Sequence, residues 1–266
     1  INHLEIISLQ NYNFVCLNSY FCFKRMKKII LIGSGNVAHH LGHAFCNAGH
    51  QIVQVISKSE TNAKVLAQKL NADFETDIGK IKQADFAIIG VNDDAIAAVS
   101  NQIKNMPFAH TSGSVCLKNV GVFYPIQTFS KNIPLDLKKV PFCVSAKNKD
   151  FENTLFKVAK SISNHVYQID EKQRKVLHLA AVFACNFSNN MYAIAQDLLK
   201  KSDLDFEMLK PLIIETANKI RQHSPKSVQT GPAKRRDMQT IENHIDLLED
   251  EDLKRLYKLI TNQIQK

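Results

Sequence analysis

The sequence predicts an α/β fold with a mainly parallel sheet in the first two thirds of the chain and an all-helical remainder. Three observations predict it. Short β-branched runs alternate with amphipathic segments over residues 28–169. A glycine-rich turn follows the first of those runs. After Asp170 the apolar spacing becomes that of helices alone. Alternation of this kind builds a parallel sheet with helices on both faces, joined by right-handed crossovers.

The run Lys28–Ile32 ends at Gly33 and reads as a strand buried on both faces. Residues 37–48 place Val37, Leu41, Ala44, Phe45 and Ala48 at helical spacing, and Gly49 stops that helix. A second strand is expected over 51–56, a second helix over 61–70 and a weak third strand over 73–75. The apolar stretch 84–90 is another strand, with a helix over 94–103. Short strands follow at 107–110, 121–124 and 141–145, then an amphipathic helix over 151–163 and a last strand over 165–169. From 171 to 200 one long helix is expected, apolar nearly all round between Leu177 and Ala195 and therefore buried on most sides. Helices over 204–221, 237–249 and 251–265 complete the chain, and the stretch 224–232, with two prolines and a glycine, is a loop. The expected organisation is an extension over 1–25, a sheet domain over 26–170 and a helical domain over 171–266.

Composition narrows the classes of function. Of the 266 residues, 45% are hydrophobic and 22% charged, which is ordinary for a globular chain. The net charge of +9 is spread thinly rather than gathered into a stripe, so no nucleic-acid partner is expected. No run approaches the roughly 18 apolar residues of a membrane helix, and no secretory signal is seen, so no membrane partner is expected. Six cysteines lack any C-x-x-C pair; a metal site is not expected, and reduced thiols fit a cytoplasmic location. Residues 1–25 mix Asn and Gln among apolar side chains. They read as a non-native or disordered extension, with translation beginning at Met26.

The strongest motif is Gly33-Ser34-Gly35-Asn36-Val37-Ala38, a G-x-G-x-x-A turn between a strand and a helix. Gly33 permits the tight turn, Gly35 has no Cβ to obstruct a pyrophosphate, and Ala38 lets helix and strand pack closely. The helix N-terminus then offers free N–H groups to phosphates. This predicts a bound dinucleotide. The second strand ends in Ser57-Lys58-Ser59 with no carboxylate for a ribose 2′-hydroxyl, so two hydroxyls and an ammonium predict NADP as the cofactor rather than NAD. Further cofactor contacts are expected from Val91 and Asn92 after the fourth strand and from His110. Asp93 or Asp94 reads as a helix N-cap. The turn His110-Thr111-Ser112-Gly113-Ser114 is expected to reach the same cleft, and the stretch from Tyr124 to Phe129 to wall it.

In the long helix, His178, Cys185 and Asn189 share a stripe, with Asn186 at its edge and Asn190 alongside. Polar groups in so apolar a helix need partners, either in the core or in a ligand cleft, because burying an unpaired amide costs about 1–3 kcal/mol. The stretch from Gln229 to Asp237 is a basic loop for an anionic substrate, a partner subunit or solvent.

These motifs together (the glycine turn, the 110–114 turn, the 124–129 stretch, His178 to Phe187, and Gln229 to Ala233) resemble a bacterial family of Rossmann-like proteins. Its C-terminal half is a domain of unknown function, and its members are labelled NADP oxidoreductases. The layout also resembles, more distantly, pyrroline-5-carboxylate reductase and the β-hydroxyacid dehydrogenases. The resemblance implies a Rossmann-type domain followed by a helical substrate and dimerisation domain of the 6-phosphogluconate-dehydrogenase kind, NADP binding and a homodimer. The chain departs from the β-hydroxyacid dehydrogenases at Ser112-Gly113-Ser114, where they carry Ser-Gly-Gly. It also has Asn186 where they carry a proton-donating Lys, and an amide is no general acid at neutral pH. Lys175-Val176-Leu177-His178 resembles a Lys-x-x-His variant. The expected function is an NADP-dependent oxidoreductase passing hydride between nicotinamide and a small polar C=O or C=N substrate. His178 would be the proton donor, and Ser112, Asn186 and Asn189 would orient the substrate. The alternative is a non-catalytic NADP-binding sensor or structural protein.

Overall fold

A computed structural model describes residues 26–266; the expected extension over 1–25 lies outside the described residues. The chain divides into two compact units, one running to Phe187 and the other Ser188–Lys266. Strands end at Gln168, near the expected change of period, and the helix that follows belongs with the sheet.

The first unit carries an eight-stranded sheet. Its strands are β1 (Lys28–Ile32), β2 (Gln51–Ile56), β3 (Asp73–Glu75), β4 (Phe86–Ile89), β5 (Phe108–His110), β6 (Gly121–Pro125), β7 (Phe142–Ser145) and β8 (Val166–Gln168), in the spatial order β3-β2-β1-β4-β5-β6-β7-β8. Ile29 and Leu31 of β1 join a core that includes α1 (Asn36–Asn47), α2 (Glu60–Leu70) and α4 (Lys149–Ile162). Ile30 and Ile32 join the core on the other face, with Ile96 of α3 (Asp93–Ser100). Alternate residues therefore serve opposite layers, which is why the central strands read as unbroken apolar runs. Strands β1 to β6 are parallel, whereas β7 runs antiparallel to β6. Segment 126–141 holds no α-helix, only a 3₁₀ turn at Leu137–Lys139, and a return without a crossover helix leaves β7 free to reverse.

The long helix expected over 171–200 is three segments. α5 (Glu171–Ala181) opens with a capping box, Asp170 accepting from the Gln173 amide and the Gln173 side chain from that of Asp170. One π-helical stretch, Val182–Phe187, follows, and then α6 (Ser188–Lys200). Nor is the stretch buried: Val176, Leu179 and Phe187 are exposed, and Arg174 is the single buried residue of α5.

The second unit holds α6, α7 (Lys210–Lys219), α8 (Pro232–Arg235), α9 (Met238–Leu247) and α10 (Glu251–Gln265). The helix expected from residue 204 begins later, because Pro211 lacks an amide and sits in the first turn; a 3₁₀ turn at Phe206–Leu209 precedes it. Part of the expected 229–237 loop folds as α8, with Arg236 left-handed at φ 57° and the Asp237 carboxylate capping α9. No helix among the described residues is long and apolar enough to cross a membrane.

Candidate functional site

The glycine turn fixes the first half of the site. Gly33 has φ +115°, and a Cβ on it would stand 2.3 Å from the Gly90 carbonyl oxygen; its amide donates to Ile56 O at 2.7 Å. No other residue fits there, since both the backbone angle and the contact demand glycine. Gly35 is the opposite case. A Cβ there meets nothing nearer than Gly90 O at 4.0 Å, so the space above it is open. Ala38 is buried, and a Cβ on Gly90 would lie 3.7 Å from its methyl, which is the close helix–strand packing the third motif position provides. The turn opens onto a cavity of about 460 Å³ at the carboxyl ends of β1, β2 and β4. Gly33, Ser34, Gly35, Ser57, Lys58, Val91 and Asn92 line it. Ser34 Oγ donates to Ser57 Oγ at 2.8 Å, tying the turn to the end of β2.

Other residues of these two turns are bonded or packed within the fold. The Asn36 side chain donates to Phe129 O at 2.9 Å and His40 Nε2 lies 2.9 Å from Ser130 O, so both hold the loop after β6 against α1. Val37 packs against the core. Ser59 caps α2 by accepting from the Asn62 amide. Neither Asp93 nor Asp94 is an N-cap. Asn92 holds that position without a side-chain bond, and the two aspartates sit in the first turn, where they complement the helix dipole. Thr76 and Asp77, absent from the sequence reading, border the same cavity because β3 ends beside β2.

The second half of the site is the turn after β5. His110, expected as a cofactor contact, is fully buried, with Nδ1 accepting from the Ser112 amide at 3.2 Å and Nε2 without a partner among the described residues. Burial, reinforced by the nearby Arg174 guanidinium and partly opposed by Asp93, lowers its pKa to about 4, so the ring is neutral. The Ser112 hydroxyl is likewise occupied, accepting from the amides of Ser114 and Val115. Those two bonds hold the turn closed. The Thr111 amide donates to Ile89 O, and the Ser114 hydroxyl donates to Asp93, so the turn lies beside the cavity that the glycine turn opens onto.

α5 grips this turn with one face. Arg174, 2% exposed, donates from NH1 to Ser112 O at 3.0 Å and from NH2 to Val115 O at 2.7 Å; no carboxylate pairs with it among the described residues. One helical turn later, His178 Nδ1 lies 3.1 Å from Tyr124 Oη, the two rings edge to face. A Cβ on Gly113 would stand 2.5 Å from that nitrogen, so the glycine admits the histidine. Burial raises the Tyr124 phenol above its ordinary value and pushes the neighbouring Cys143 thiol to about 11. Sequence reasoning placed Tyr124 only as a wall and missed Arg174, whose neighbours Glu171, Lys172 and Lys175 make it read as part of a solvated face.

The π stretch Val182–Phe187, with its i→i+5 bonding, interrupts the 3.6-residue period on which the expected stripe rested. Cys185, Asn186, Asn189 and Asn190 are all exposed, so water satisfies amides that were expected to need partners. Among the described residues no cluster of His, Cys, Asp or Glu could hold a metal ion.

Residues 28–111 match the family described as NADP oxidoreductase, coenzyme F420-dependent, and residues 140–264 match a domain of unknown function. A Bacteroides fragilis protein assigned as an NADP oxidoreductase is 41% identical, with 91% of this chain and 99% of that one aligned and a TM-score of 0.84. Pyrroline-5-carboxylate reductase from Streptococcus pyogenes shares the fold at 12% identity and a TM-score of 0.60, over 90% of this chain and 98% of that one. An imine reductase from Myxococcus stipitatus, in complex with NADP+, does so at 12% identity and a TM-score of 0.59, over 90% and 91%. No curated protein matches the chain.

Proposed function

The chain belongs to the family of the Bacteroides fragilis protein assigned as an NADP oxidoreductase, and from that premise we propose that it binds NADP and reduces or oxidises a small polar C=O or C=N substrate. The observation that carries the reading is the contrast within the glycine turn. Gly33 is forced against Gly90, whereas Gly35 faces open space that a pyrophosphate fits. The amides at the start of α1 would hold the phosphates, and Ser57 with Lys58 the ribose 2′-phosphate. When bound, the nicotinamide supplies or accepts hydride. His178 gives or takes the accompanying proton at the substrate oxygen or nitrogen. Arg174, Ser112 and Gly113 hold the turn that His178 is packed against, and Asn186 and Asn189 stay outside the chemistry.

The same reading takes the working form as a homodimer in a cytoplasm, the copies meeting through the helical unit, whose Leu212, Ile214 and Leu259 are each at least 60% exposed. Calorimetric titration of the folded protein with NADPH and NADH tests the binding half; uptake of neither overturns it. Gly35→Val sharpens the test. Valine should fit the free protein at a cost of no more than about 1 kcal/mol, while overfilling the bound site should weaken NADPH roughly ten- to hundredfold. An unchanged affinity would move the nucleotide elsewhere.

A further inference from the structure

The two ring nitrogens of His178 have different surroundings. Nδ1 faces Tyr124 Oη at 3.1 Å and is closed in by Gly113. Nε2 has no hydrogen-bond partner among the described residues and is not enclosed, so it is the nitrogen a substrate can reach. Among the described residues no carboxylate is bonded to Nδ1; Asp93, whose hydrogen bond goes to the Ser114 hydroxyl, acts on Tyr124 only through its charge. Tyr124 is raised by burial and remains a hydroxyl at neutral pH, Cys143 on the adjoining strand remains a thiol, and Arg174 on the same helix face is a cation held by carbonyls.

Both nitrogens of an imidazolium are donors. In the protonated state of His178, the short contact to Tyr124 therefore has only one hydrogen-bonded form, Nδ1–H donating to Oη. When the reachable Nε2 gives up its proton, the ring that remains is neutral and still carries Nδ1–H on the same partner. We propose that Tyr124 is the positioning residue of the acid/base step, its hydroxyl oxygen holding Nδ1–H in both charge states so that Nε2 alone exchanges protons with the substrate. In the reducing direction the Nε2–H bond breaks as hydride reaches the substrate carbon. The proton goes to the substrate oxygen or nitrogen, and Nε2 keeps the electron pair until solvent reprotonates it; oxidation runs the same steps backwards. Gly113 belongs to the device, because any side chain there would drive His178 off Tyr124.

This rests on the oxidoreductase reading, but its test does not pass through turnover. Nitrogen-15 NMR of the histidine rings, followed across pH with and without NADPH, reads which nitrogen is protonated. The wild-type neutral His178 ring should carry its proton on Nδ1. Tyr124→Phe, which keeps the aromatic contact, should lose that preference, and Gly113→Ala should lose it from the opposite side, both with wild-type NADPH affinity. A neutral wild-type ring protonated on Nε2, or a Tyr124→Phe variant with an unchanged tautomer, would overturn the proposal. The wild-type measurement needs no variant, so a misfolded substitution cannot shield the idea. Failure to bind NADPH would count against the oxidoreductase reading and leave the tautomer result standing.

Discussion

The sheet unit and the helical unit treat their apolar residues in opposite ways. In the sheet unit Phe45, Phe86, Phe123 and Phe142 have no exposure, and two core layers close around β1 and β4. Among the described residues of the helical unit, only Ala233 and Ile241 are buried hydrophobics, while Met208, Leu212, Ile214, Leu247 and Leu259 stand mostly in the open. Two units of one chain can thus carry similar amphipathic helices and differ in what completes them. The sheet unit finds the other side of its core within its own strands, as a sheet with helices on both faces does. The helices of the other unit leave apolar faces exposed, the faces on which the proposed dimer rests.

The largest effect should expose this contrast directly. Phe123→Ala removes a fully buried ring that touches Phe45 and Phe142 and should cost about 3–5 kcal/mol of stability by urea unfolding. Leu212→Ala, 62% exposed, should cost no more than about 0.5 kcal/mol within one chain while weakening self-association in sedimentation. Equal losses in the dilute, dissociated protein would mean that the helical unit has a core of its own after all.

Much of the first unit is legible in the sequence because a central parallel strand is buried on both faces, and β1 and β2 fall where their apolar runs predict; the edge strand β3, exposed and without such a run, falls where only a weak strand was expected. What is not legible lies in relations between distant residues. The reversal of β7 is a property of its connection, not of its four residues. The π stretch over 182–187 leaves no mark in composition, so a 3.6-residue period was carried through a segment that does not keep it. His110 and Ser112 were recognisable as polar residues at a sheet edge, but only the fold shows one sealed beneath the turn and the other spent on its amides. Arg174 was hidden by its charged neighbours. Its place is decided by two carbonyls about 60 residues away in the chain.

His110 gives the next effect, smaller and confined to the sheet unit. Its folded pKa of about 4 lies below the 6.5 of a free imidazole, so as pH falls from 6.5 the unfolded chain takes up a proton that the folded chain refuses. Stability is full above pH 6.5 and drains away toward pH 4, by an amount on the order of 3 kcal/mol at 1.36 kcal/mol per pH unit. His39 and His43, also lowered by burial, add a slope of the same sign, so the difference between wild type and His110→Gln isolates the one ring. Urea melts at pH 7.5 and 5 should converge for the two proteins at the lower pH. Parallel losses would show that the acid lability lies elsewhere.

The smallest effect belongs to an exposed residue of the same unit. Lys58 borders the proposed nucleotide cavity beside the bonded Ser34–Ser57 pair, where a 2′-phosphate would stand. A single solvated ammonium contributes modestly, so Lys58→Ala should weaken NADPH about tenfold and leave NADH as it was. The NADPH difference should shrink as salt rises, since an exposed charge pair is screened over roughly 10 Å at 0.1 M. If both nucleotides weaken together, the lysine serves the shared pyrophosphate or the shape of the loop, and discrimination falls to the two serine hydroxyls. If only NADPH responds, a side chain that contributes almost nothing to the fold chooses the cofactor, while the buried Gly33 at the end of the neighbouring strand shapes the turn that would hold the pyrophosphate.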